Sequence, residues 1–82
     1  MSSAGAQIDQ WEAVVTTKSL WSALDVQSRL FDLWGETEDL PAGRTVERWL
    51  TLTLERELFG AAELSELLTE LRAELGIQPA GV

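Results

Sequence analysis

The chain has 82 residues and no cysteine, so a small fold has to hold together without a disulfide. It also has no histidine, which removes one of the commonest ligands of a structural zinc ion. A chain of this length buries only about 60–65% of the surface that it exposes when unfolded. Apolar packing, within the chain or completed by another chain, therefore has to stabilise the protein.

The composition indicates one soluble, folded domain. Apolar residues make up 45% of the chain and include four tryptophans, which argues against disorder over most of its length. No apolar run is long enough to span a bilayer, and the N-terminus lacks the basic and apolar regions of a secretory signal. Because the absence of cysteine fits a reducing compartment, we expect a cytoplasmic protein.

The side chains that most often carry catalysis are missing. Histidine, cysteine and tyrosine are all absent, and the glycines are too scattered to form a phosphate-binding loop. The acids Glu36, Glu38 and Asp39 do not follow the spacing of a calcium-binding loop. We therefore expect a protein that is not an enzyme and that has no cofactor and no metal site.

The charge restricts the partners. Fourteen acidic residues stand against six basic ones, for a net charge of −8, and such a chain repels phosphate backbones and anionic lipid. We expect no direct binding of nucleic acid and no membrane binding. Two interpretations remain open: the acids keep a tryptophan-rich protein soluble, or they face a protein partner with a basic surface.

Apolar residues recur at helical spacing in four segments, residues 8–17, 19–34, 45–59 and 61–75. The pattern predicts an all-α fold, a small four-helix bundle-like domain over residues 7–76, with a flexible N-terminal tail at 1–6 and a C-terminal tail at 77–82. Gly35 and Gly76 are placed to end helices, and Gly60 breaks the chain between the third and fourth segments. The alternation of leucine and threonine in 50–54 leaves an alternative open, a small α+β fold with a strand near 48–54.

The start of the third helix is also open. Thr45 is the cleaner N-cap residue. An earlier start, with Thr37 or Asp39 as the cap and Pro41 in the first turn, would place Gly43 inside the helix.

Three groups of side chains are candidates for partner binding. Helical winding places Trp21 on the polar side of the second helix, where an exposed tryptophan would mark a contact surface. A second apolar side of the third helix could be free or covered by the rest of the chain. A row of glutamates on the last helix could orient a basic partner or be a solvated face. The candidate residues are Trp21, Trp49, Leu52, Phe59, Glu63, Glu66, Glu70 and Glu74.

The sequence thus predicts a non-enzymatic, acidic protein–protein interaction module: an adaptor, a docking subunit or a small regulatory protein, with homodimerisation possible. The alternative is an acidic inhibitor that imitates the charge of nucleic acid and blocks a nucleic-acid-binding protein. The affinity of such an inhibitor would fall steeply with ionic strength, whereas apolar docking would not.

Overall fold

The computed structural model describes residues 4–76. The elements follow one another as α1 Ala4–Val15, β1 Leu20–Ser22, α2 Ala23–Thr37, α3 Pro41–Glu55, β2 Leu58–Gly60 and α4 Ala61–Leu75. The expected all-α class is confirmed: four helices account for most of the described chain, and the two strands have three residues each. The alternative strand near 48–54 is wrong, because these residues lie within α3.

The chain consists of two helix–strand–helix units, α1–β1–α2 and α3–β2–α4. Their strands pair antiparallel, with Trp21 opposite Phe59 and Ser22 opposite Leu58. The backbone N–H of Ala23 donates to the carbonyl of Glu57 at 2.9 Å and extends the connection beyond the sheet. The two units are thus joined at one end of the molecule by the β1–β2 ladder.

The core lies between the helices and the inner face of the sheet. Helix α1 packs against α2 and α4, and α3 packs against the same two helices. Both central strand residues point inward. The buried apolar residues are Ile8, Trp11, Val15, Trp21, Val26, Leu30, Leu33, Ala42, Val46, Phe59, Leu64, Leu67, Leu68 and Leu71.

A buried cation links the first and last helices. The guanidinium of Arg72 on α4 donates to the carboxylates of Glu12 and Asp9 on α1, with 2.6 Å from Nη2 to Glu12 Oε1. These bonds raise the pKa of Arg72, with the Glu12 bond the largest cause. Only 5% of the Arg72 side chain is exposed, whereas Asp9 is about half exposed. The carboxylates therefore let a buried charge remain hydrogen-bonded.

Several element boundaries differ from the expected ones. Helix α1 begins at Ala4, inside the segment predicted as a tail, and the predicted tail 77–82 lies outside the described residues. Gly35 does not end α2, which continues to Thr37. Gly76 does end α4, in the left-handed conformation with φ 69°, as predicted.

Helix α3 takes the earlier of its two possible starts. Pro41 occupies its first turn as expected, but the N-cap residue is Leu40, so the expectation of Thr37 or Asp39 as the cap is wrong. Gly43 then lies inside the helix, where a Cβ would stand 2.3 Å from the carbonyl oxygen of Thr37. Glycine at this position lets α3 approach the last turn of α2, and this close approach explains why the helix tolerates it.

Candidate docking surface

Trp21 is buried, so its predicted exposure is wrong. Its side chain is 4% exposed, because residues 20–22 form a strand and the middle residue of that strand faces the core. The indole Nε1 donates to the carbonyl of Val15 at 2.9 Å, at the last turn of α1. Lys18 and Arg29 lie against its ring at 4.3 and 5.4 Å from the centroid. Trp21 therefore connects β1 to α1.

The second predicted patch also faces inward. Phe59 is fully buried in β2, and its ring centroid lies 6.1 Å from that of Trp49. Trp49 and Leu52 are partly buried and pack against the core. The three residues do come together, but the chain itself covers much of the surface that was expected to meet a partner.

Three of the four glutamates on α4 are engaged within the chain. Glu63 forms an ion pair with Arg56 at 2.6 Å, and Glu70 forms one with Arg48 at 3.1 Å. Glu74 accepts from the hydroxyl of Thr45 at 2.6 Å. Within residues 4–76, the Glu66 side chain has no hydrogen-bond or ion-pair partner. Most of this row therefore connects α4 to α3 and to the turn before β2. Its role in partner binding stays a prediction.

The largest apolar side chains on the surface are leucines and one phenylalanine. Leu24 at the start of α2 and Leu54 near the end of α3 are 77% and 78% exposed, the highest values among the exposed large apolar residues. Both line one open groove between these helix ends, together with Ser22, Ala23, Thr53 and the segment 55–57. We call this site the leucine groove.

The sheet extends the apolar surface beside the groove. Side chains alternate along a strand, so Leu58 points to the same outer face as its partner Ser22. Leu58 is 52% exposed and Leu20, on the same face, is 55% exposed. The leucine groove is thus continuous with an outer sheet face that carries two more leucines.

The backbone around the leucine groove is well supported. The hydroxyl of Ser22 accepts from the backbone N–H of Asp25 at 3.3 Å and caps α2. Thr53 is buried, and its hydroxyl donates to the carbonyl of Leu50 at 2.6 Å. With the Ala23–Glu57 backbone bond, these contacts hold both walls in place while the leucines project into solvent.

Arg56, the C-cap residue of α3, lines the leucine groove but is held in an ion pair with Glu63. Its guanidinium donates to both carboxylate oxygens of Glu63, at 2.6 and 2.9 Å, and lies 4.4 Å from the ring centroid of Phe59. This bond, with help from the backbone N–H of Gly60, lowers the pKa of Glu63 to about 2, while the pKa of Arg56 is raised. The charge of Arg56 is therefore already compensated.

The carboxylates of Glu55 and Glu57 lie at the groove without a cation. Neither side chain has a hydrogen-bond or ion-pair partner in the part of the chain that the structure describes. Glu55 also stands in the last turn of α3, which carries no basic residue. The carbonyl end of a helix has negative potential, so the two glutamates add to an existing negative field.

The opposite end of the α2–α3 hairpin carries the loop acids that were considered as metal ligands. Glu38 and Asp39 line an open depression with Leu40, Pro41, Arg44 and Glu47. Among residues 4–76, no three acidic side chains come together as a metal site would require. This end of the hairpin also contains the cation Arg44, whereas the cation that lines the leucine groove, Arg56, is paired with Glu63.

No family model, no curated protein and no solved structure matches the chain. In the described residues, no helix combines the length and the apolar character needed to cross a bilayer. The candidate site therefore depends on the geometry and charge of the leucine groove.

Proposed function

We propose that the protein is a non-enzymatic interaction module, an adaptor, docking subunit or small regulatory protein, that binds another protein through the leucine groove. The observation that carries this proposal is the joint exposure of Leu24 and Leu54 in one groove. Single exposed leucines are ordinary on protein surfaces. Two leucines that share a groove, beside an outer sheet face with two more, form the kind of apolar patch found at contact surfaces.

The exposed leucines are the proposed binding residues, instead of the tryptophan and phenylalanine that the sequence led us to expect. Trp21 and Phe59 offer almost no surface to a partner. The backbone bonds that fix the groove walls reduce the ordering that docking would require, which favours affinity. The four outer leucines would supply apolar contact area, and the unpaired glutamates would restrict the choice of partner.

The alternative function, imitation of nucleic-acid charge, has less support. It requires carboxylates that are free to meet a basic binding surface, and three of the four α4 glutamates already have partners within the chain. The salt dependence of binding separates the two proposals, because charge imitation loses affinity steeply as ionic strength rises.

Site-specific crosslinking tests the proposed function. A photoreactive amino acid at position 58, on the outer sheet face, should yield a defined protein adduct in cells that make the protein. The matched control is position 31 on α2, because Phe31 and Leu58 are similarly exposed, at 56% and 52%. No adduct at position 58, or the same adducts at both positions, would contradict the proposal.

Two narrower parts of the proposal concern assembly and location. The exposed apolar surface would also permit a homodimer, which light scattering across a range of protein concentrations would detect. Cytoplasmic action is proposed from the absence of cysteine. A crosslinked adduct twice the mass of the chain would identify a second copy as the partner.

A further inference from the structure

Resting on the proposed function, we infer the chemistry of the partner: a segment with apolar side chains flanked by lysine or arginine, which docks in the leucine groove. The apolar side chains would cover Leu24 and Leu54. The cations would meet the carboxylates of Glu55 and Glu57 and the carbonyl end of α3. The side chains of Glu55 and Glu57 are groups that the described part of the chain leaves without a partner.

The charge requirement has two independent sources at the groove. The first is the pair Glu55 and Glu57, whose side chains have no partner within residues 4–76. The second is the C-terminal end of α3, whose last turn holds no basic residue and whose C-cap residue, Arg56, is paired with Glu63. A cation near a helix C-terminus is stabilising because it meets the negative potential of the last carbonyl groups. A basic partner would therefore supply what both features lack.

The two basic side chains that lie nearest in sequence to the groove residues already form ion pairs within the chain. Lys18 pairs with Asp25 at 3.2 Å, and Arg56 pairs with Glu63. Neither can neutralise the groove without giving up its present partner. The leucine groove therefore keeps its negative charge unless a cation of another molecule binds there.

A second copy of the chain fits this groove poorly. Two copies related by a two-fold axis at the groove would bring Glu55 and Glu57 of each copy close to the same groups of the other. Both copies also carry a net charge of −8. Like charges at an interface disfavour association, so the complementary occupant is a basic partner.

Two short peptides test the inference. One has leucine and alanine on one side and lysine on the other at amphipathic helical spacing, and the second replaces every lysine with glutamate. Fluorescence anisotropy with the full chain should show the lysine peptide binding at least about tenfold more tightly, a difference of 1.4 kcal/mol. Equal affinity for both peptides, or binding of neither, would overturn the inferred chemistry.

Matched variants then locate the binding. Leu54→Ala and the double variant Glu55→Gln/Glu57→Gln should each weaken the lysine peptide at least about threefold. Phe31→Ala and Glu36→Gln/Glu38→Gln are the controls, because they remove comparable apolar surface or the same charge elsewhere on the hairpin. Equal losses of affinity in the test and control variants would show that the acidic protein attracts the peptide without a specific site, and would overturn the inference that the leucine groove binds it.

The peptide result and the crosslinking result are distinguishable. If neither peptide binds but position 58 still yields a specific adduct, the interaction module stands and the inferred partner chemistry is wrong. If a dimer forms in solution and Leu54→Ala abolishes it, the groove belongs to a second copy and the inference is overturned.

Discussion

The two faces of the strand pair β1–β2 carry similar apolar side chains in opposite surroundings. On the inner face, Trp21 and Phe59 stand opposite each other and are almost fully buried. On the outer face, Leu20 and Leu58 are about half exposed, and the leucine groove begins beside them. Apolar character alone therefore does not assign a residue to the core, since a one-residue step along a strand moves a side chain to the other face.

The same contrast applies to the ion pairs. Arg72 is buried and joins α4 to α1, whereas Arg48 and Glu70 form an exposed pair between α3 and α4. Arg72 and its two carboxylate partners thus join the first and last helices, which are distant in sequence.

The largest effect is expected from the sheet itself. Phe59→Ala should lower the free energy of unfolding by about 3–5 kcal/mol, because it removes a buried ring and leaves a cavity. Leu58→Ala, the neighbouring change on the outer face, should stay within about 0.5 kcal/mol. Urea unfolding measures both. Similar losses in the two variants would contradict the division between the faces.

A smaller effect is expected from the buried cation. Arg72→Met should cost about 1.5–3 kcal/mol, because the charge-assisted hydrogen bonds to Glu12 and Asp9 are lost. Arg48→Met removes an exposed pair and should cost less than about 1 kcal/mol. Urea unfolding at moderate salt compares them, and an Arg48→Met variant that is the less stable of the two would refute the ranking.

The smallest effect is a pH dependence at Glu63. Folding lowers the pKa of this carboxyl from 4.5 to about 2, so its stabilisation is present above pH 4.5 and is lost as the pH falls towards 2. Glu63→Gln keeps an acceptor for the Gly60 N–H but removes the charge. The difference in thermal unfolding midpoint between wild type and Glu63→Gln should therefore shrink over this interval. A difference that does not change with pH would show that the charge contributes nothing.

Much of the helical structure could be predicted from the sequence. The end of α4 was predicted correctly from an apolar stripe followed by a glycine: Leu64, Leu67, Leu68, Leu71, Leu75 and then Gly76. Long periodic segments of this kind satisfy local propensity and packing together. The third helix was also identified, with two starts left open; the close approach of Gly43 to Thr37, which no local pattern reveals, explains why the earlier start tolerates a glycine inside the helix.

The two strands could not be predicted from periodicity. Three residues are too few to show an alternation, and each strand exists because the other one pairs with it. One local signal was present: Ser22 followed by Asp25 resembles a helix start, with the serine as N-cap. Using it would have removed Trp21 from the helix and cast doubt on its exposure. The leucine groove needed the tertiary structure, since its two walls, the start of α2 and the end of α3, are far apart in sequence.

The most direct test of the docking account is to map the lysine peptide on the isotopically labelled chain by amide chemical shifts. The largest shifts should fall on residues 22–24 and 53–58, at the leucine groove and the outer strand face. Shifts concentrated on the loop acids at 36–39, or on the glutamates of α4, would contradict it and would assign partner binding to carboxylates alone.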